Sequence, residues 1–182
     1  MNISWVFSDT AVLDPTVDIV SLKNLGSIWG SWRTWRSYQT DNVICYDMTK
    51  ADELIKRDFH NSCNFYIPNS IHAPLHRPQG VHLFEGAFVH DVERQEEIVA
   101  MHLAASVSDI VLLLGFDFSE PSPYSDRLLE HRAHNYRGLT KQAIKDNPAV
   151  QWVVIDHPSQ FRKDLLELDN LGQDTLVNIL VN

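Results

Sequence analysis

The stretch DIVLLLG, residues 109–115, does most to restrict what this chain can fold into. Side chains alternate between the two faces of a strand, so a run that is apolar at every position needs cover on both sides. That is the condition of a central strand in a parallel sheet, because a strand with one wet face alternates apolar with polar residues. VQWVVID (150–156) reads as another buried strand downstream. Between and before these runs lie longer segments with helical spacing. VERQEEIVAMHLAAS (92–106) is acidic in its first turns and then apolar around most of its circumference, which predicts a buried helix with His102 as a hydrogen-bonded core histidine. Strands alternating with helices of this length predict a parallel sheet with helices packed on its faces.

The rest of the chain follows that alternation. ISWVF (3–7), NVICYD (42–47), NFYIP (64–68) and VHLFEG (81–86) read as further strands. DPTVDIVSLKNLG reads as a helix with Pro15 near its start and Gly26 at its stop. TKADELIKRDFH (49–60) reads as a helix with Thr49 as N-cap and Leu54, Ile55 and Phe59 inward. Pro74 and Pro78 make NSIHAPLHRPQG a loop, and Pro74 denies His72 and His76 the helix that would make them a metal pair. SEPSPYSD reads as a loop. Gly138 interrupts the segment after it and leaves LTKQAIKDN (139–147), closed by Pro148, as the helix there. DTLVNILV reads as a closing strand or short helix. The whole, residues 1–182, reads as a single α/β domain: a three-layer, Rossmann-like, mostly parallel sheet with helices on both faces.

Composition narrows the function. A formal charge of −9 argues against a general nucleic-acid binder, which needs a basic stripe to displace counterions. A small phosphorylated ligand stays open, since a local basic cluster overrides the global field. The longest apolar run is too short to span a bilayer, and the N-terminal stretch has no basic segment of the kind a signal peptide carries. Cys45 and Cys63 sit in no CxxC pair and no zinc spacing, which predicts reduced thiols in a soluble, cytoplasmic protein.

In open parallel sheets ligands bind outside the carboxyl ends of the strands. Here the strands run out at Ser8-Asp9, at Asp47, at Phe116-Asp117 and at Asp156-His157. Converging carboxylates of this kind hold Mg²⁺ through oxygen ligands or act on substrate hydroxyls, while single Asp residues after strands also serve as turn and cap residues. Asp117 and Asp156 follow the most apolar strands and are the candidate catalytic carboxylates. EHRAHNYRG adds His131 and His134, with Arg132, Arg137 and Lys141, as a basic patch near the same edge. A histidine there suits general-base work near neutral pH and equally suits a solvated or capping role.

GSIWGSWRTWRSYQTDN (26–42) places Trp29, Trp32, Trp35 and Tyr38 at every third position, with Arg33 and Arg36 between them. Neither helix nor strand turns that spacing into one clean stripe. Gly30 favours a short strand or turn, SIWGSW, followed by a helical turn, RTWRSYQ. Core packing, a protein-partner surface and a ligand platform all use such residues.

At AMHLAASVSDIVLLLGFDF the chain resembles bacterial sialyltransferase-like proteins with a modified Rossmann fold: a buried small-residue helix, a strand, then Gly115-x-Asp117. The resemblance implies a nucleotide-sugar donor and a loop histidine as catalytic base, for which His134 stands at a similar distance before its strand. It extends over the order of elements from residue 1 to about 160. The family's Gly-Asn-Gly-Pro-Ser turn is replaced here by SDTAVLDP, and no asparagine or tyrosine pair stands where the family has them. Together the strand ends, the basic patch and the resemblance put Ser8, Asp9, Gly115, His131, Arg132, Arg137, Lys141 and His157 around the ligand, and His134, Asp117 and Asp156 at the chemistry. IWGSWRTWRSYQTDNVIC also resembles proteins encoded by tailed phages of marine cyanobacteria, which implies a host cytoplasm and, as the competing function, a non-catalytic module binding a host protein through Trp29–Tyr38. A magnesium-dependent phosphoryl enzyme is a third reading of the same strand-end carboxylates.

Overall fold

Eight strands form one sheet in the order β5-β4-β3-β2-β1-β6-β7-β8, and every neighbouring pair is parallel. They are β1 (Ile3–Phe7), β2 (Ser27–Ser31), β3 (Asn42–Ile44), β4 (Asn64–Pro68), β5 (His82–Phe84), β6 (Ile110–Leu114), β7 (Gln151–Ile155) and β8 (Leu171–Asp174). The helices are α1 (Ile19–Leu25), α2 (Trp32–Tyr38), α3 (Met48–Lys56), α4 (Asn69–His72), α5 (Gln95–Ala105), α6 (Arg127–Asp146) and α7 (Leu176–Val181). This computed structural model describes residues 1–13, 15, 17–85, 95–116, 127–155 and 168–181, with the side chains of 127–135, 177–178 and 181 left aside.

The three-layer α/β architecture follows from the doubly apolar strands. On β6, Val111 and Leu113 face a core shared with α5 and α6, while Leu112 and Leu114 face a core shared with α1 and α7. On β1, Val6 points to the first of these and Trp5 and Phe7 to the second. A third cluster joins Val43, Cys45, Phe65 and Ile67 to α2 and α3. Ala100, Ala104 and Ala105 let α5 lie close across β1, β2 and β3. The sheet grows outward in one direction from β1 and in the other from β6, so the strand order reverses between these two neighbours. That reversal is where doubly wound sheets open a ligand crevice at their carboxyl edge.

Several local boundaries differ from the sequence expectation. Helix α1 begins after Asp18, whose carboxylate caps the Val20 N–H, rather than at Pro15. Asp47, not Thr49, caps α3 by accepting the Lys50 N–H, which is the capping role open to an Asp after a strand. Residues 69–72 form the short helix α4 inside the expected loop. Helix α6 runs straight through Gly138, which is exposed with open space around it, so glycine there costs helix propensity and nothing in packing. His102 is exposed on the outer side of α5 rather than in the core. The closing segment is strand β8 followed by helix α7, and LGQD carried no apolar alternation because β8 is an edge strand with two exposed central residues. No helix among the described residues is long and apolar enough to cross a membrane.

Candidate functional site

The carboxyl ends of β1 and β6 are locked to each other. Ser8 is buried; its N–H donates to the Leu114 carbonyl at 3.0 Å and its hydroxyl to the Gly115 carbonyl, which also accepts the Thr10 hydroxyl at 2.8 Å. Gly115 has φ +75°, and a Cβ there would lie 2.3 Å from Ala11 Cα. The loop after β1 therefore seats against Gly115, and the two candidate ligand residues Ser8 and Gly115 use these groups on one another.

One residue on, Asp9 is the hub of a polar cluster built from four elements. Its Oδ1 accepts the hydroxyls of Ser31 and Thr34, the latter at 3.0 Å, and its Oδ2 lies 3.5 Å from Arg33 Nη1. Ser31 ends β2 and caps α2, accepting the N–H groups of Arg33 and Thr34. The Asp9 N–H donates to Glu97 Oε1 at 2.7 Å. Glu96 and Glu97 are adjacent at the start of α5, and the helical turn of about 100° per residue sends them to different partners. Glu97 is fully buried and accepts the Tyr136 hydroxyl of α6. Glu96 accepts the Tyr46 N–H at 3.1 Å at the end of β3 and faces Arg33 Nη1 at 3.4 Å.

Burial dominates the electrostatics of Glu96. It pushes the carboxyl up to about 7, against the pull of the Tyr46 N–H and the Arg33 guanidinium, with Asp9 and Glu97 adding to the rise. A carboxyl group poised near neutrality beside a second carboxylate and a half-exposed guanidinium has the make-up of an acid–base centre. Among the described residues, no group of three or more His, Cys, Asp or Glu side chains is placed to hold a metal ion.

The other expected site residues fall as follows. Arg137 and Lys141 are half-buried on α6. His131, Arg132 and His134 lie on the first half of the same helix, in the stretch whose side chains are left aside, and Asp117, Asp156 and His157 lie outside the described residues. The aromatic ladder is divided. Trp29 is buried under α5, its indole N–H donating to Ser4 and Ser27 hydroxyls at 3.1 Å. Trp35 packs on Phe59 in the third cluster, and Tyr38 packs on Phe7 while its hydroxyl donates to the Ala11 carbonyl. Trp32 is half-buried under three cationic side chains. Trp29 and Tyr38 thus belong to two packing clusters, and Trp32 and Trp35 share a third, rather than forming one exposed patch.

Ser31, Thr34, Tyr46, Glu96, Glu97 and Tyr136 were not legible as site residues. Glu96 and Glu97 left one usable signal: on a helix apolar around most of its circumference, consecutive acids are buried and so need partners. At the opposite, amino edge, a cleft of about 680 Å³ is lined by residues that include Lys23, Thr40, Asp41 and His60; Lys23 pairs with Asp41 at 2.9 Å, and the Thr40 hydroxyl and His60 Nδ1 are buried without partners among the described residues. No protein-family model matches the chain, and no curated protein matches it.

Proposed function

We propose that the chain is a glycosyltransferase-like enzyme that binds a nucleotide-sugar at the carboxyl ends of its strands and activates an acceptor hydroxyl with Glu96. The observation that carries this reading is the Asp9–Arg33–Glu96 arrangement beside the reversal of strand order, where a buried carboxyl faces a half-exposed cation. In the reaction, the Glu96 carboxylate takes the acceptor proton while the hydroxyl oxygen forms its bond to the anomeric carbon. The bond from that carbon to the donor's phosphate oxygen breaks, and its electron pair leaves with the nucleotide. Arg33 orients the two carboxylates, and Ser31 and Thr34 hold Asp9. His134, Asp117 and Asp156 keep their candidate roles from the sequence, His134 as the competing base. A cytoplasm, a host's if the chain is phage-encoded, is the compartment that suits such a donor.

The reading of Trp29–Tyr38 as a protein-binding face draws less support, because Trp29 is in the core, Tyr38 packs in a second cluster, and only Trp32 and Trp35 share a third. The deciding experiment is a turnover assay with CMP-, UDP- and GDP-sugars and their hydrolysis as a fallback readout. Turnover should rise with pH through about 7 as Glu96 loses its proton. Glu96→Gln should lower it roughly 10²–10⁴-fold. A full loss in His134→Ala with Glu96→Gln unimpaired would move the base to His134, and silence across the panel would end the transferase reading.

A further inference from the structure

Three cations surround one indole in a chain whose formal charge is −9. Lys50 Nζ lies 4.7 Å from the centre of the Trp32 ring, Arg33 Cζ 5.0 Å and Arg36 Cζ 5.7 Å. Beside the ring a groove of about 360 Å³ runs between α2 and α3, within the range of small-molecule sites. Its charged lining is Arg36, Lys50 and Arg57 against a single carboxylate, Glu53, and its apolar lining includes Trp35 and Phe59.

Glu53 is already shared, with Lys50 at 2.7 Å and Arg57 at 3.0 Å, and Arg33 is engaged by Asp9 and Glu96. Arg36 is exposed and has no carboxylate within ion-pair distance among the described residues. Glu53 balances only one of the groove's cations and leaves a surplus of positive charge, and covering an indole needs only aliphatic stems, not that surplus. We infer that this groove seats a nucleotide, its base stacked against Trp32 and its phosphates held by Arg36, Lys50 and Arg57. A phosphate explains the cations and a planar base explains the aromatic wall; neither alone explains both. Arg33, adjacent to Trp32, joins the groove to the carboxyl cluster. The inference deepens the transferase reading by giving its donor a seat, and it rests on that reading for the link to chemistry.

The test is calorimetric titration of the full chain with UDP, CMP, ADP and inorganic pyrophosphate, with tryptophan fluorescence as a second readout. At least one nucleotide should bind about ten-fold more tightly than pyrophosphate. Arg36→Ala should weaken both kinds of probe about ten-fold, and Trp32→Leu should weaken the nucleotide alone by a similar factor. Lys56→Ala, outside the groove and paired with Asp52, should change nothing. Arg36 is exposed, so its variant keeps the assignment testable if Trp32→Leu fails to fold. No saturable binding by any probe, or binding indifferent to both groove variants, overturns the inference. Nucleotide binding that depends on Arg36 while Glu96→Gln keeps full turnover upholds the groove and ends the role of Glu96. Turnover that depends on Glu96 but ignores Arg36 and Trp32 does the reverse.

Discussion

Glu97 and Tyr136, 39 residues apart in sequence, meet in a buried hydrogen bond in which the phenol donates to the carboxylate and ties α5 to α6. The same carboxylate accepts the Asp9 N–H, so one side chain fixes the hub of the polar cluster from beneath. Tyr136→Phe removes the phenolic donor and leaves the ring packed beside Phe116. A buried carboxylate that loses a donor costs about 1–3 kcal/mol. Urea denaturation followed by tryptophan fluorescence should show a loss of that size; a change under about 0.5 kcal/mol would mean that the bond does not anchor the helices.

Glu96 makes stability depend on pH in an unusual direction. Its folded carboxyl stands at about 7 against an ordinary 4.5, so between these values the folded chain holds a proton that the unfolded chain has released. This contribution is full below about pH 4.5 and is lost as pH rises through about 7. The gap corresponds to about 3 kcal/mol. Glu96→Gln stays neutral throughout, so the variant should gain on the parent by up to that amount between pH 4.5 and 8. Parallel stability–pH curves for the two proteins would show that Glu96 is charged in the folded state across the range.

The fold was legible where physics is local. Runs such as 110–114 and 152–155 are apolar at every position, and only a sheet covered on both faces accommodates that. Caps were less legible because Asp47 and Thr49 are both good N-caps, and only the backbone path out of β3 chooses between them. The site was legible in part: the end of β1 marked Ser8 and Asp9, but the partners of Asp9 come from residues 31, 33, 34 and 97. Arg33 was singled out as part of an aromatic surface, and it is the strand order, invisible in the sequence, that turns it toward Asp9 and Glu96. Glu96 looked like an ordinary first-turn acid favoured by the helix dipole until α5 was laid across the sheet.

Gly115 should tolerate no side chain. Its φ of +75° disfavours any L residue, and a Cβ would stand 2.3 Å from Ala11 Cα and 2.6 Å from Ala11 N, which is backbone and cannot swing away. Gly115→Ala must push the loop after β1 off the end of β6, breaking the Ser8 and Thr10 bonds to the Gly115 carbonyl. A loss of roughly 3 kcal/mol or more is expected in the same denaturation assay. Stability within about 1 kcal/mol of the parent would show that this loop is not seated as described.

The two thiols should be nearly inert in the folded chain. Burial raises Cys45 far above the ordinary thiol range, with Glu96 adding to it, and burial pushes Cys63 up to about 12 with help from Asp41. The thiolate is the reactive form, so at pH 8 Cys63 should react with a thiol reagent on the order of 10³-fold more slowly than free cysteine, and Cys45 more slowly still. Both should label promptly in denaturant. Rapid labelling of Cys63 in the native protein would mean that the amino-edge cleft opens more widely than its 680 Å³.

Thr40 and Thr34 offer a matched pair of buried hydroxyls with opposite expectations. Thr40 is 1% exposed and its hydroxyl has no partner among the described residues, whereas Thr34 is 3% exposed and donates to Asp9 at 3.0 Å. Valine has nearly the shape of threonine, so each substitution isolates the hydroxyl. Thr34→Val should cost about 1–2 kcal/mol, since the partly buried Asp9 carboxylate loses a donor. Thr40→Val removes a group whose desolvation nothing offsets, and should leave stability unchanged or raise it by about 1 kcal/mol. A loss of more than about 1 kcal/mol at Thr40 would show instead that its hydroxyl holds an ordered water or a ligand in the amino-edge cleft. Denaturation of the parent before and after exhaustive dialysis would separate these, because a ligand can be dialysed away and a buried water cannot.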